Sequence, residues 1–111
     1  MKLVYIASAY VGNIEKNIKD AQRYCLDAMK KGYVPVAPHL LYPQFLDDSD
    51  PGQRNIGMQA GLELLTRCDE LWIYGAEVTP GMSREIAFAK GLGIGVRRMY
   101  PEPVLDQKVM A

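Results

Sequence analysis

Residues Asp69–Met99 read DELWIYGAEVTPGMSREIAFAKGLGIGVRRM, and this stretch decides the fold. DELWIY (Asp69–Tyr74) is a short β-rich run that stops at Gly75. Thr79 can cap a helix, Pro80 suits the first helical position, and the spacing predicts a helix running to about Leu92. Ile94–Met99 is β-prone again. A strand, a helix and a strand in so few residues form a crossover unit, which is right-handed and joins parallel strands.

The rest of the chain repeats this grammar. Lys2–Ala7 (KLVYIA) is an apolar strand that ends at the small and polar residues Ser8–Asn13. Ile14, Ile18, Ala21, Cys25 and Met29 then recur at helical spacing, with Asn13 as N-cap, Glu15 in the first turn and Gly32 as the stop. Tyr33–Ala37 (YVPVA) is a second strand, placed at a sheet edge because Pro35 removes a ladder donor. Pro38–Arg54 reads as a long loop, and a second helix is expected from about Asn55 to Arg67. Alternating strands and helices predict a doubly wound parallel sheet, Rossmann-like or flavodoxin-like, with at least four strands and helices on both faces. One domain spans residues 1–100, and Pro101 and Pro103 make residues 101–111 an irregular tail.

Composition narrows the function classes. At 111 residues a second domain does not fit, and 49% hydrophobic with 23% charged residues is ordinary for a folded chain. Thirteen Lys+Arg balance thirteen Asp+Glu, so no net field steers the chain onto a nucleic acid polymer or a membrane. A chain without net charge is also poorly protected against association, which favours a homo-oligomer, dimer or tetramer. Cys25 and Cys68 show no CxxC pattern and read as buried free thiols. With no apolar run near the roughly 20 residues of a membrane span, the expected location is cytoplasmic.

A doubly wound sheet binds ligands beyond the carboxyl ends of its strands, where successive crossovers leave in opposite directions. Three loops are expected to converge there. Their candidate ligand contacts are Ser8, Tyr10 and Gly12 from the first, His39, Asp47 and Asp48 from the second, and Gly75, Thr79, Gly81 and Met82 from the third. On the third helix, Met82, Ile86, Ala89 and Leu92 define a buried arc, and Glu85 falls inside it. A carboxylate occupies a place meant for an aliphatic side chain. It reads either as a partly buried Glu paired with Arg84 or Arg54, or as a catalytic carboxylate facing the crevice. His39, the only histidine, serves loop packing or catalysis and excludes a multi-histidine metal site. Asp47, Asp48 and Asp50 are a solvated acidic loop or a binder of a cation or sugar hydroxyl. No GxGxxG, Walker, HExxH or local Ser/His/Asp pattern is present, and no cofactor or metal is expected.

The segments LVYIASAYVGN, CDELWIYG and TPGMSREIAFAKGLG, with the PHLLYPQFLDD loop and GLELL helix, resemble the nucleoside 2-deoxyribosyltransferase-like superfamily over nearly the whole chain. The likeness is closest to its compact bacterial and phage members. It implies N-glycosyl bond cleavage or transfer on a nucleoside or nucleotide, through a Glu nucleophile and with retention. Glu85 matches that nucleophile, Tyr5 the first-strand Tyr beside it, Gly81 a glycine of the preceding loop, and Thr79 a phosphate-contacting hydroxyl. The family's acid for the departing base corresponds to Gly61, which has no side chain; Glu63, or Asp47 or Asp48, is then the expected substitute. The phosphate-binding Arg of the monophosphate glycosidases corresponds to Val11. A non-catalytic nucleotide-binding module and an interaction protein using Leu40, Leu41, Tyr42 and Phe45 are the alternative readings.

Overall fold

The computed structural model describes residues 1–99. Four strands, β1 (Leu3–Ala7), β2 (Val34–Val36), β3 (Glu70–Ile73) and β4 (Gly95–Arg98), form one parallel sheet in the order β2-β1-β3-β4. The two central strands are the apolar ones. Residues 4 to 7 of β1 and 71 to 73 of β3 are buried, whereas β2 and β4 stay partly exposed at the edges. In β2 the Val34 N–H donates to Lys2 O at 2.9 Å. Because strand residues alternate in direction, the donorless nitrogen of Pro35 falls on the open side of the edge.

Alternation along the central strands builds two cores, one on each face. Helix α1 (Ile14–Lys30) covers Val4, Ile6, Trp72 and Tyr74 with Tyr24 and Ala28. On the other face Tyr5, Ala7, Leu71 and Ile73 meet Leu65 of helix α3 (Pro51–Leu65) and Met82 and Ala89 of helix α4 (Pro80–Gly91). The fold is doubly wound, as the alternating pattern required. Its switch point lies between β1 and β3, since α1 leaves β1 on one face and α4 follows β3 on the other.

The caps explain the helix starts. The Asn13 side chain accepts from Lys16 N at 3.2 Å, and Thr79 Oγ1 accepts from Met82 N at the same distance with Pro80 following. Gly32, at φ +85°, closes α1.

The expected Pro38–Arg54 loop is the part the structure corrects. Pro38–Leu41 forms one helical turn (α2), Tyr42–Gln44 a 3-10 turn, and α3 starts at Pro51 rather than near Asn55. The cause is local: Asp50 Oδ1 accepts from Gly52 N at 3.0 Å, and Pro51 takes the first helical position. The expected irregular tail over residues 101–111 lies outside the described residues. No helix of the described chain is long and apolar enough to cross a membrane.

Candidate functional site

The α3/α4 face carries one polar constellation inside its apolar core. The Tyr5 hydroxyl, on a side chain only 2% exposed, donates a hydrogen bond to Glu85 Oε2 from the second turn of α4. Burial pushes the Glu85 carboxyl up from 4.5 to about 7, against the Tyr5 hydrogen bond and the Arg84 guanidinium, which pull it down. No neighbouring carboxylate among the described residues adds to that rise. Burial, and then the Glu85 charge, push the Tyr5 phenol well above its ordinary range, so it remains a donor. Glu85 therefore changes charge near neutrality, while Tyr5 keeps its proton.

Of the two partners expected for an ion-paired Glu85, Arg84 acts through its charge and also contacts Met58 Sδ at 3.9 Å, while the hydrogen bond comes from Tyr5. Gly61 of α3 faces the same spot. A Cβ at Gly61 would lie 3.4 Å from the Tyr5 hydroxyl and 4.0 Å from the ring of Pro38. Tyr42 is close enough for its phenol to act on Tyr5 as well. Its role was not read from sequence, because a 3-10 turn of three residues leaves no periodicity to find.

A second constellation lies at the end of β1. Ser8 Oγ and His39 Nε2 are 2.9 Å apart, and burial pushes His39 down to about 4, so the imidazole is neutral at physiological pH. Ser8, Gly12, Gly75 and Thr79 line a cleft of about 380 Å³ whose wall is completed by Tyr24 and Tyr74. Gly75 needs its glycine: at φ +91° a side chain is strained, and a Cβ would stand 3.7 Å from the Tyr24 hydroxyl. Tyr10 lines no part of it, but its carbonyl, like that of Val11, accepts from Asn17 Nδ2 and fixes the loop.

The three loops do not all share this cleft. The first and third meet in it on the α1 side, and the second reaches it only through the His39–Ser8 contact. Glu85 and Tyr5 are not in its lining. Met82 is buried beside them, and Gly81 sits at the start of α4 with its Cβ position 3.9 Å from Thr79 Oγ1.

Three acidic residues are not brought to the Tyr5–Glu85 pair. Glu63 lies two residues, about 200° around the helix, beyond Gly61, exposed and bonded to Arg67 at 3.2 Å. Asp47 is fully exposed and accepts from Ser49 N and Oγ at 2.9 and 2.6 Å, which holds its carboxyl below the usual range. Asp48 is exposed on a separate shallow depression beside Arg54 and Met58. Among the described residues, no group of three or more His, Cys, Asp or Glu side chains is placed to hold a metal ion.

A family model described as a domain of unknown function (DUF7768) matches residues 2–99. No curated protein sequence matches the chain. Among solved structures, a 2-deoxyribosyltransferase from Bacillus psychrosaccharolyticus superposes with a TM-score of 0.67 at 16% identity, over 96% of this chain and 79% of that one. A 2-deoxyribosyltransferase from Leishmania mexicana gives 0.63 at 18%, over 96% and 75%. A CMP N-glycosidase from Clostridium botulinum gives 0.55 at 20%, over 87% and 67%. At such identities the likeness establishes a common fold.

Proposed function

The chain belongs to the DUF7768 family, and from that premise we propose that it cleaves or transfers an N-glycosyl bond of a nucleoside or nucleotide-like small molecule, with Glu85 as nucleophile. The observation that carries this reading is a half-buried carboxyl on a helix over the sheet, bonded to a tyrosine and ionising near pH 7. The solved structures that share the fold are described as 2-deoxyribosyltransferases and a CMP N-glycosidase, which supports the same chemistry here.

In this mechanism the ionised Glu85 attacks the anomeric carbon as the base departs, through an oxocarbenium-like state. The Tyr5 hydroxyl holds Oε2, which leaves Oε1 for the attack. Water or a second base then opens the glycosyl ester from the same face, so configuration is retained. Ser8 and Thr79, which line the α1-side cleft, are the hydroxyls assigned in this reading to the ligand's sugar or phosphate. Assembly as a dimer or tetramer belongs to the same reading, with Leu41 and Phe45, 54% and 65% exposed, as the contact surface.

The test is to incubate the purified protein with a panel of nucleosides and nucleotides and to follow free base by chromatography. Wild type should release base and Glu85→Ala should not; equal release by both would remove Glu85 from the chemistry. The pH profile adds a second check. Since only the ionised carboxylate attacks, kcat/KM should rise through about pH 7. Tyr5→Phe removes a hydrogen bond that favours the charged form, so its rising limb should lie at higher pH. A limb unmoved in that variant would contradict the pairing.

A further inference from the structure

A nucleophile without an acid partner restricts what it can cleave. Breaking a bond between sugar and a neutral base normally needs a proton on the departing nitrogen, and a positioned acid is typically worth ~10²–10⁴-fold. Among the described residues no second carboxyl is set beside Glu85 to give one. Gly61, which faces the Tyr5 hydroxyl, has no side chain. Glu63 projects to solvent with Arg67, and Asp47 and Asp48 are exposed on the loop. Glu77 is exposed at the rim of the α1-side cleft. Burial pushes the Tyr5 phenol up and the Cys68 thiol up to about 11, so both hold their protons, and His39, at the end of β1, is neutral.

We infer that the preferred substrates are N-glycosides whose leaving group already carries a positive charge, above all glycosyl pyridiniums. This rests on the nucleophilic reading of Glu85 and names its substrate class. In such a compound the carbon–nitrogen bond breaks with its electron pair going to the ring nitrogen, which leaves as a neutral pyridine, so no proton is required. Glu85 Oε1 forms the new bond to the anomeric carbon. Water then attacks that carbon, the Glu85 carboxylate leaves with its electron pair, and the water's second proton goes to solvent. The net reaction takes glycosyl pyridinium and water to free sugar, pyridine and one proton.

Two further features suit a cationic ring. A positive charge beside Glu85 favours the ionised carboxylate, so the ligand itself prepares the nucleophile. Tyr42, close to Tyr5, packs edge-on with Phe45 at 5.8 Å between ring centres, and aromatic faces attract cations.

The experiment compares release of nicotinamide from nicotinamide riboside with release of base from adenosine and cytidine, whose sugar is the same, by the full chain at pH 7.5. The expected result is a kcat/KM for the pyridinium nucleoside ~10²-fold or more above the neutral ones, abolished in Glu85→Ala. Equal or faster cleavage of adenosine or cytidine overturns the inference and leaves Glu85 as nucleophile. Release from none of the three, or release unaffected by Glu85→Ala, overturns the nucleophilic reading as well. Gly61→Asp supplies a second readout by placing a carboxyl beside Tyr5: it should narrow the ratio between cationic and neutral substrates, and an unchanged ratio in a folded variant counts against the missing acid as its cause.

Discussion

At pH 8, Glu85→Gln is expected to unfold at higher denaturant than wild type, by about 3 kcal/mol, while turnover falls on the order of 10³-fold or more. The two signs follow from one cause. The Glu85 carboxyl is pushed from 4.5 to about 7 in the folded protein, so the folded chain binds this proton more tightly than the unfolded one. The folded protein therefore loses stability as pH rises from 4.5 through 7, at about 1.4 kcal/mol per unit. Below pH 4.5 the carboxyl is neutral in both states and the penalty vanishes. An amide keeps an oxygen to accept from Tyr5 and carries no charge, so the variant escapes the penalty at every pH. Paired denaturant titrations at pH 4 and pH 8 would check it. Curves that differ by the same amount at both values would show that the carboxyl is not strained by burial, and would weaken its reading as a group held for chemistry.

The second large effect concerns the fold. Trp72→Ala should destabilise the protein by about 3–5 kcal/mol, a large part of the roughly 5–15 kcal/mol that holds a typical domain. Trp72 is wholly buried in the centre of the sheet, its ring 4.5 Å from that of Tyr33 and 6.5 Å from that of Tyr74. Its Nε1–H donates to Glu70 Oε1 at 2.9 Å, so truncation also costs that carboxylate a donor. Urea unfolding followed by circular dichroism would measure the loss. A midpoint within error of wild type would mean that the α1-side core tolerates the cavity, against its close packing.

What could be read without coordinates follows from the range of each signal. The strands were legible because LVYIA and ELWI are apolar runs of strand length between loop residues, and α4 because Thr79 and Pro80 mark its start. The same chemistry at Asp50 and Pro51 is hidden in the sequence, because Asp47, Asp48 and Asp50 together read as a solvated loop. Turns as short as Pro38–Leu41 and Tyr42–Gln44 show no period at all.

At the site, Glu85 stood out as a charge within an apolar arc, which needs only helix geometry. Its bond to Tyr5 joins residues 80 positions apart and depends on the sheet, so the residues alone could not give it. The direction of Glu63 was in reach: if Gly61 faces the sheet, a residue two further along the helix faces away. The division between the α1-side cleft and the Tyr5–Glu85 pair was not, because it depends on which face each crossover takes.

Pro35 carries a consequence for how copies of this chain can meet. At the β2 edge, the position that would offer an N–H to an incoming strand offers none. A continuous sheet shared by two molecules through that edge would begin with a gap in its ladder. Self-association through that edge is disfavoured at the level of the backbone, because the outward-facing position of the strand supplies no donor.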